Sequence, residues 1–420
     1  MTWRTDVPRF TVIIPTRQRG DVLGAALKTV TAQNYDALAI LVSDNCSSDQ
    51  TRDVVNAVRD PRIRYVKTCK RVSMSHNWEF ALSHVSGDRW VMVIGDDDGL
   101  IPGALDRVAA LIRETGVKAV NSSFCTYIWP NVDNDGAGRL LVPMRRGVEI
   151  RESNVWLRRA VEGRAWYSDL PMLYGGGAIH VSLIEDIRRR KGTFFQSCQP
   201  DIFSSIALAS VTERYAFSHE PFAVGGHSRH SNGASWAASV NNSRAGPNAP
   251  KANQLFNGEG NIPWHHEIAL LDDGKIPLSI DLLVYESYLQ AMYLHGNPLK
   301  ITHQDQLALF LAREITDTER MALWFKAFIE RHLLDPEKVH NRARFLKARL
   351  AWDKLKEYAA AFRDIYRIEP SFGIRMQDVY EASVVAATIL RTRPNRIRSY
   401  TGTIVKWMRR SRKRALPAEA

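Results

Sequence analysis

The sequence predicts an α/β protein, a mostly parallel, doubly wound sheet followed by a helical C-terminal region. Two observations carry that expectation. Between residues 9 and 123, short apolar runs rich in β-branched residues alternate with stretches of helical spacing. From Ser279 to about Arg391 the strand signals give way to helical periodicity, broken at Pro298, Pro336 and Pro370.

The elements follow in order. RFTVIIP (9–15) reads as a first strand, and DVLGAALKTVTAQ (21–33) places Leu23, Ala26, Leu27 and Val30 at helical spacing. LAILVS (38–43) is a second strand, Asp49 to Val58 a short helix, and RIRYVK (62–67) a third strand. SHNWEFALSHV (75–85) is a helix ended by Gly87. A strand at 89–94, a helix at about 103–115 opened by Pro102, and a strand at 117–123 complete the alternation. Residues 124–230 are less regular and hold a glycine cluster before an apolar-periodic stretch, Ala178 to Ile187. Residues 231–265 are rich in Asn, Gly, Ala, Ser and Pro, which suits a lid or a linker. The expected division is 1–230 for the α/β domain, 231–278 for the lid or linker, 279–390 for a helical domain and 391–420 for a tail.

The four cysteines, at 46, 69, 125 and 198, share no metal-ligand spacing and read as reduced thiols, the pattern of a cytoplasmic protein. No apolar run approaches the roughly 18 residues of a membrane span. The net charge of +12 is unevenly placed. Residues 391–420 hold ten Lys or Arg and one acid, hence +9, which leaves +3 for the other 390. A nearly neutral body argues against a nucleic-acid groove, whereas the tail, which interleaves Ile, Tyr, Val, Trp and Met with arginine, suits an anionic membrane surface.

Chemistry concentrates where strands end. The strand at 89–94 runs into Gly95 and then Asp96, Asp97 and Asp98. Adjacent carboxylates repel unless a cation or solvent relieves them. At the C-terminal edge of a parallel sheet, the usual ligand edge, they point to Mg²⁺ or Mn²⁺ held against a phosphate. A polar turn is the plainer reading of three aspartates alone. The first strand ends in Pro15-Thr16-Arg17-Gln18-Arg19, where two arginines could face phosphates. The second ends in Ser43-Asp44-Asn45, where Asp44 could accept from a base or ribose. Ser47, Ser48 or Asp49 could cap the next helix.

The order IIPTRQR, SDNCSSDQT, SHNWEFAL and GDDDGLIPGAL resembles the family 2 glycosyltransferases of the Rossmann-like GT-A fold, closely over residues 9–115 and loosely to 230. The resemblance implies that the first two loops hold a nucleotide, through Pro15, Thr16, Arg17, Arg19, Asp44 and Asn45, with the Asn77 helix and Arg71 nearby. Alignment on Pro102 puts Gly95 where the family often has its first aspartate. Asp96 then falls near the ribose, Asp97 is the metal ligand, and Asp98 is a second ligand or a support for the loop. The resemblance further implies an inverting displacement with an acidic general base, matched by Asp201 in Cys198-Gln199-Pro200-Asp201; Glu185 and Asp186 fit less well. Gly175, Gly176 and Gly177 would frame donor or acceptor. A loop after the base would close over the diphosphate, with His227 on the metal and Arg229 or His230 as alternatives. His265 and His266 read as structural or lid residues. No QxxRW-like motif is present, which points to addition of a single sugar.

What the resemblance implies is therefore a non-processive enzyme using a nucleoside diphosphate-sugar, UDP-sugar favoured, and Mn²⁺ or Mg²⁺. The acceptor would be a saccharide or a lipid-linked one, used at the inner face of the cell membrane in cell-surface polysaccharide, lipopolysaccharide or glycolipid assembly. A sugar nucleotidyltransferase would need a glycine-rich phosphate loop, which IIPTRQRG lacks. A non-catalytic relative would keep the Asp44 loop and not need Asp201.

Overall fold

The computed structural model describes residues 7–132, 136–231, 260–274, 276–277, 279–296, 299–313, 318–370 and 373–394. The expected lid falls outside them over 232–259, and the basic tail from 395 onward.

The N-terminal half follows the alternation in the sequence. Its elements are β1 (Phe10–Thr16), α1 (Gly20–Thr31), β2 (Leu38–Asp44), α2 (Thr51–Ala57), β3 (Ile63–Lys67), α3 (Met74–Ser83), β4 (Trp90–Val93), β5 (Gly99–Leu100), α4 (Ala104–Thr115) and β6 (Ala119–Ile128). There follow β7 (Leu140–Pro143), β8 (Val148–Glu152), α5 (Ser153–Val161), β9 (Ala178–His180), α6 (Val181–Lys191), α7 (Pro200–Val211) and β10 (Arg214–His227). The C-terminal region contributes α8 (Ile280–Ala291), α9 (His303–Ala312), α10 (Thr318–His332), α11 (Pro336–Asp364), β11 (Ile365–Ile368) and α12 (Val379–Thr392).

The strands form one mixed sheet in the order β11-β7-β6-β9-β4-β1-β2-β3, with β10 parallel to β6 and antiparallel to β5 and β8. Only β4-β1-β2-β3 and the β6-β10 pair are parallel. The apolar stretch from Ala178 is not helical throughout. Its first three residues form β9, wedged antiparallel between β4 and β6. Likewise, the helical pattern near Tyr366 stops at Asp364, and Ile365–Ile368 pairs with β7 at the sheet edge.

Strand alternation sorts side chains onto two cores. Phe10, Val12 and Ile14 of β1 and Trp90 and Met92 of β4 face α1 and α4. Ile13, Val91 and Val93 face the opposite layer, where Trp78, Phe203 and Ile206 pack with Leu282, Tyr285 and Tyr288 of α8. A third core sets Val379, Ala382 and Ala386 of α12 against Val22 of α1 and Tyr127 of β6. The helical C-terminal region thus clasps the α/β layers from both sides.

Candidate functional site

β1, β2 and β4 end side by side, because Thr16 pairs with Asp44 and Ile13 with Val93. The loops leaving those ends therefore share one edge. There Thr16 Oγ1 donates to Asp96 at 2.8 Å, and Arg19 Nη1 donates to the other Asp96 oxygen at 2.8 Å. Arg19 Nη2 donates to the His230 carbonyl at 2.6 Å, so one guanidinium joins the first loop, the acidic loop and the segment after β10. Burial opposes its charge, yet Asp96 and Asp97 raise its pKa above the ordinary guanidinium value.

The three aspartates, all buried, part ways. Asp98 accepts from the Gly95 N–H at 2.8 Å, the Gly226 N–H at 2.7 Å and the Tyr174 hydroxyl, which makes it a clasp for its own loop. Asp97 accepts from the Ser228 hydroxyl at 2.7 Å and N–H at 3.2 Å. Burial raises the Asp97 pKa above the usual carboxylate range, and Asp98 and Asp96 add to the rise against Arg19. Such crowding of carboxylates is what a cation relieves. His227 lies close enough to feel Asp97, and burial lowers its pKa, which favours the neutral, ligating imidazole. Among the described residues no three His, Cys, Asp or Glu side chains converge as a complete metal shell. The donor set fits a hard cation that takes most of its ligands from phosphate and water.

Arg229 and His230 both meet Asp21 at 2.9 Å, at the start of α1. They pin the strand-exit segment rather than reach inward. Glycines make the close approaches: a Cβ at Gly226 would stand 1.7 Å from the Asp97 carbonyl, and one at Gly177 1.8 Å from that of Met172. Gly175 and Gly176 adopt φ of 62° and 104°, a turn set beside the end of β4 by the Gly175 N–H to Val93 bond.

Asp44 accepts from the Ser47 N–H at 2.8 Å and from the Tyr65 hydroxyl, with Lys67 Nζ at 4.0 Å. Asn45 exchanges hydrogen bonds with the Val72 backbone, holding the segment that carries the exposed Arg71. Asn77 spends both side-chain groups on Ser43, at 2.9 and 3.2 Å, and so buttresses the β2 end from beneath. Pro15 is the penultimate residue of β1, and Arg17 follows that strand half-buried. The sequence reading passed over Tyr65 and Lys67. Strand periodicity places them on one face of RIRYVK, and that signal was available.

Asp201 stands in the first turn of α7, behind Pro200 at the first helical position. The Tyr167 hydroxyl donates to it at 3.3 Å. Burial raises the Asp201 pKa; the Ile202 N–H and Tyr167 oppose the rise. Tyr174 joins the two halves, since Asp98, Asp97 and Asp201 all act on its hydroxyl. Tyr167, Tyr174 and Ser228 carry no motif of their own and emerge only once the chain is folded.

The α/β sheet, with loops gathered at its parallel strand ends and an acidic loop after β4, has the arrangement of a GT-A-type domain. The glycosyl transferase family 2 model matches residues 11–186, so this part of the chain is similar to that family. Over 111 residues the chain is 36% identical to GalNAc(5)-diNAcBac-PP-undecaprenol beta-1,3-glucosyltransferase of Campylobacter jejuni, covering 26% of this chain and 36% of that protein. Over 102 residues it is 28% identical to the succinoglycan biosynthesis protein ExoO of Rhizobium meliloti, covering 24% and 29%. The matched region thus spans about a third of the length of these curated relatives. Among solved structures, S. aureus TarS 1–349 is similar at 14% identity and a TM-score of 0.42, covering 82% of this chain and 91% of that one. The mannosyltransferase PcManGT of Pyrobaculum calidifontis, in complex with GDP-Man and Mn²⁺, is similar at 17% and 0.42, covering 93% and 89%.

Proposed function

We propose that the chain is an inverting, non-processive glycosyltransferase that moves one sugar from a nucleoside diphosphate-sugar, UDP-sugar favoured, to a hydroxyl of a saccharide or lipid-linked acceptor. The observation that carries this reading is the Arg19–Asp96–Thr16 knot beside Asp97, with the Tyr174 hydroxyl bonded to Asp98 and within electrostatic reach of Asp201. The base and ribose rest against the Asp44, Asn45, Tyr65 and Lys67 end, and Arg19 faces the diphosphate. A divalent Mn²⁺ or Mg²⁺ at Asp97 and His227 would neutralise the leaving diphosphate. Asp98, already satisfied by three donors, supports the loop.

In the reaction, Asp201 takes the proton of the acceptor hydroxyl while its oxygen bonds to the anomeric carbon from the face opposite the diphosphate. The anomeric C–O bond breaks, and its electron pair leaves with the nucleoside diphosphate. An Asp201 of raised pKa is a stronger base than an ordinary carboxylate, which suits a hydroxyl proton. The relatives whose names speak of an undecaprenol-linked sugar and of succinoglycan support a role in glycolipid or polysaccharide assembly. No helix among the described residues is long and apolar enough to cross a membrane, and the basic tail is the proposed contact with an anionic inner membrane face.

Calorimetric titration with UDP, GDP and dTDP, each with and without Mn²⁺, tests this reading. Metal-dependent binding of one nucleotide, lost in Asp97→Ala, is the expected result. A folded protein that binds none of them refutes it.

A further inference from the structure

A second cluster of charge lies away from the acidic loop, where the chain leaving α5 meets α9 and α11. A cavity of about 100 Å³ there is lined by Arg164, Lys300, Arg342 and Arg349 against the acids Glu162 and Asp305. A neighbouring groove of about 410 Å³ shares Glu162 and Arg164 and adds Arg158 and Arg159. Six cations against these two acids and Asp353, which lies beside Arg349, leave a surplus of three positive charges.

The acids satisfy this cluster only in part. Arg164 Nε is 3.4 Å from Glu162, and Arg342 Nε is 3.3 Å from Asp305. Arg349 donates through Nη2 to the Glu162 carbonyl at 3.1 Å, while its nearest carboxylate, on Asp353, stands 3.9 Å from Nε. That Nε–H is buried and has no hydrogen-bond acceptor. Burial lowers the Arg349 pKa, and the neighbouring charges of Arg164 and Arg342 lower it further against the opposing pull of Asp353 and Glu162. A buried donor without an acceptor and several guanidiniums lining one cavity are both relieved by one ligand, an anion with several oxygens. Guanidinium forks match phosphate oxygens in particular.

The position adds meaning. Arg164 precedes Tyr167 by three residues, at most about 11 Å of chain, and Tyr167 donates to Asp201. Exposed Trp166 lies between them in the chain, with the Arg313 guanidinium 5.8 Å from its ring. We propose that this cavity binds a phosphate or diphosphate group. Resting on the glycosyl-transfer reading, the group is carried by the acceptor, which it anchors while a hydroxyl meets Asp201.

The test is calorimetric titration of the full chain with inorganic diphosphate in the presence of saturating UDP and Mg²⁺. Diphosphate is expected to bind despite the UDP, at least tenfold more weakly in the Arg342→Gln, Arg349→Gln double variant, with UDP affinity unchanged. Lys300→Gln, at an exposed position, is expected to weaken it about threefold and serves if the double variant fails to fold. Equal binding by wild type and variants, or loss of wild-type binding to UDP competition, overturns the proposal. If UDP does not bind but diphosphate binding still depends on these residues, the cavity stands and the transfer reading falls. Flotation with phosphatidylglycerol and phosphatidylcholine vesicles, read as the difference between wild type and double variant, assigns the source. Arginine-dependent binding to the anionic vesicles marks a lipid headgroup. Arginine-dependent diphosphate binding alone marks a soluble phosphorylated acceptor.

Discussion

Asp201 and Tyr167 make the sharpest case at the scale of single residues. A general base works deprotonated, so transfer is lost as pH falls through its folded pKa. Burial raises that pKa, and the acid limb of the kcat/KM profile is therefore expected above the ordinary carboxylate range. Tyr167→Phe removes a donor that favours the carboxylate, so it should move the acid limb further up while leaving nucleotide binding intact. An unmoved limb would show that another group titrates. Asp201→Asn should lower kcat by roughly 10²- to 10⁴-fold with nucleotide affinity unchanged. Arg19→Lys is a different kind of change. Arg19 reaches Asp96 through Nη1 and the His230 carbonyl through Nη2, and the shorter, unforked ammonium cannot reproduce that geometry, so nucleotide binding should weaken although the charge remains. Asp44, Asp97 and Asp201 were legible in the sequence because each acid stands where a strand ends or a helix begins. Tyr174 and Tyr167 were not. An isolated tyrosine has no periodicity or spacing to mark it, and its partners are dozens of residues away.

Among the elements, α8 does more than cover a core. Its Glu286 is fully buried and accepts from Ser197 Oγ at 2.6 Å, Gln290 Nε2 at 2.8 Å and the His265 N–H at 3.2 Å. Ser197 leads into α7 and Asp201, so this carboxylate secures the approach to the proposed base. Burial raises its pKa to about 7 from 4.5. A raised acid contributes stability that is fully present below the unfolded pKa and is lost as pH rises through the folded one. The loss should therefore run from about pH 4.5 to above 7, amounting to roughly 3 kcal/mol at most. Glu286→Gln keeps an acceptor for Ser197 and removes the titration. Denaturant melts at several pH values should show a flatter stability profile in the variant, and an unchanged slope would place the titration elsewhere. The helical period of α8 was plain in the sequence, but a glutamate on an amphipathic helix ordinarily faces water, and only packing against α7 turns it inward. β9 and β11 were hidden for a related reason. Strands of three and four residues are too short to display a period, and their neighbours in sequence are helical.

For the whole molecule, the decisive fact is that the sheet and the C-terminal helices share cores. The alternation in residues 9–123 made the parallel half of the sheet legible, and the proline-broken helical run made the C-terminal region legible. What joins them was not, because contacts between distant segments leave no local pattern. Leu282, Tyr285 and Tyr288 of α8 bury against the same layer as Phe203 and Ile206 of α7, and β11 closes one sheet edge on β7. Val379 and Ala382 of α12 cover Val22 of α1, and Lys28 of α1 sits 4.0 Å from the Tyr380 ring. Removing residues 279–420 would uncover an apolar layer on one face, another over α1, and an unpaired strand edge at β7. Exposed layers and open edges of that kind drive association. The truncated chain is therefore expected to be insoluble, and soluble only if the helical segment is co-expressed and rejoins it. Ending the chain at residue 394 removes the basic tail and none of these contacts. That shorter chain should keep its melting temperature and its UDP affinity while losing affinity for anionic vesicles. Sedimentation, thermal melts and flotation on the two truncations separate the roles. A soluble, nucleotide-binding product from the longer deletion would show that the sheet stands without its clasp.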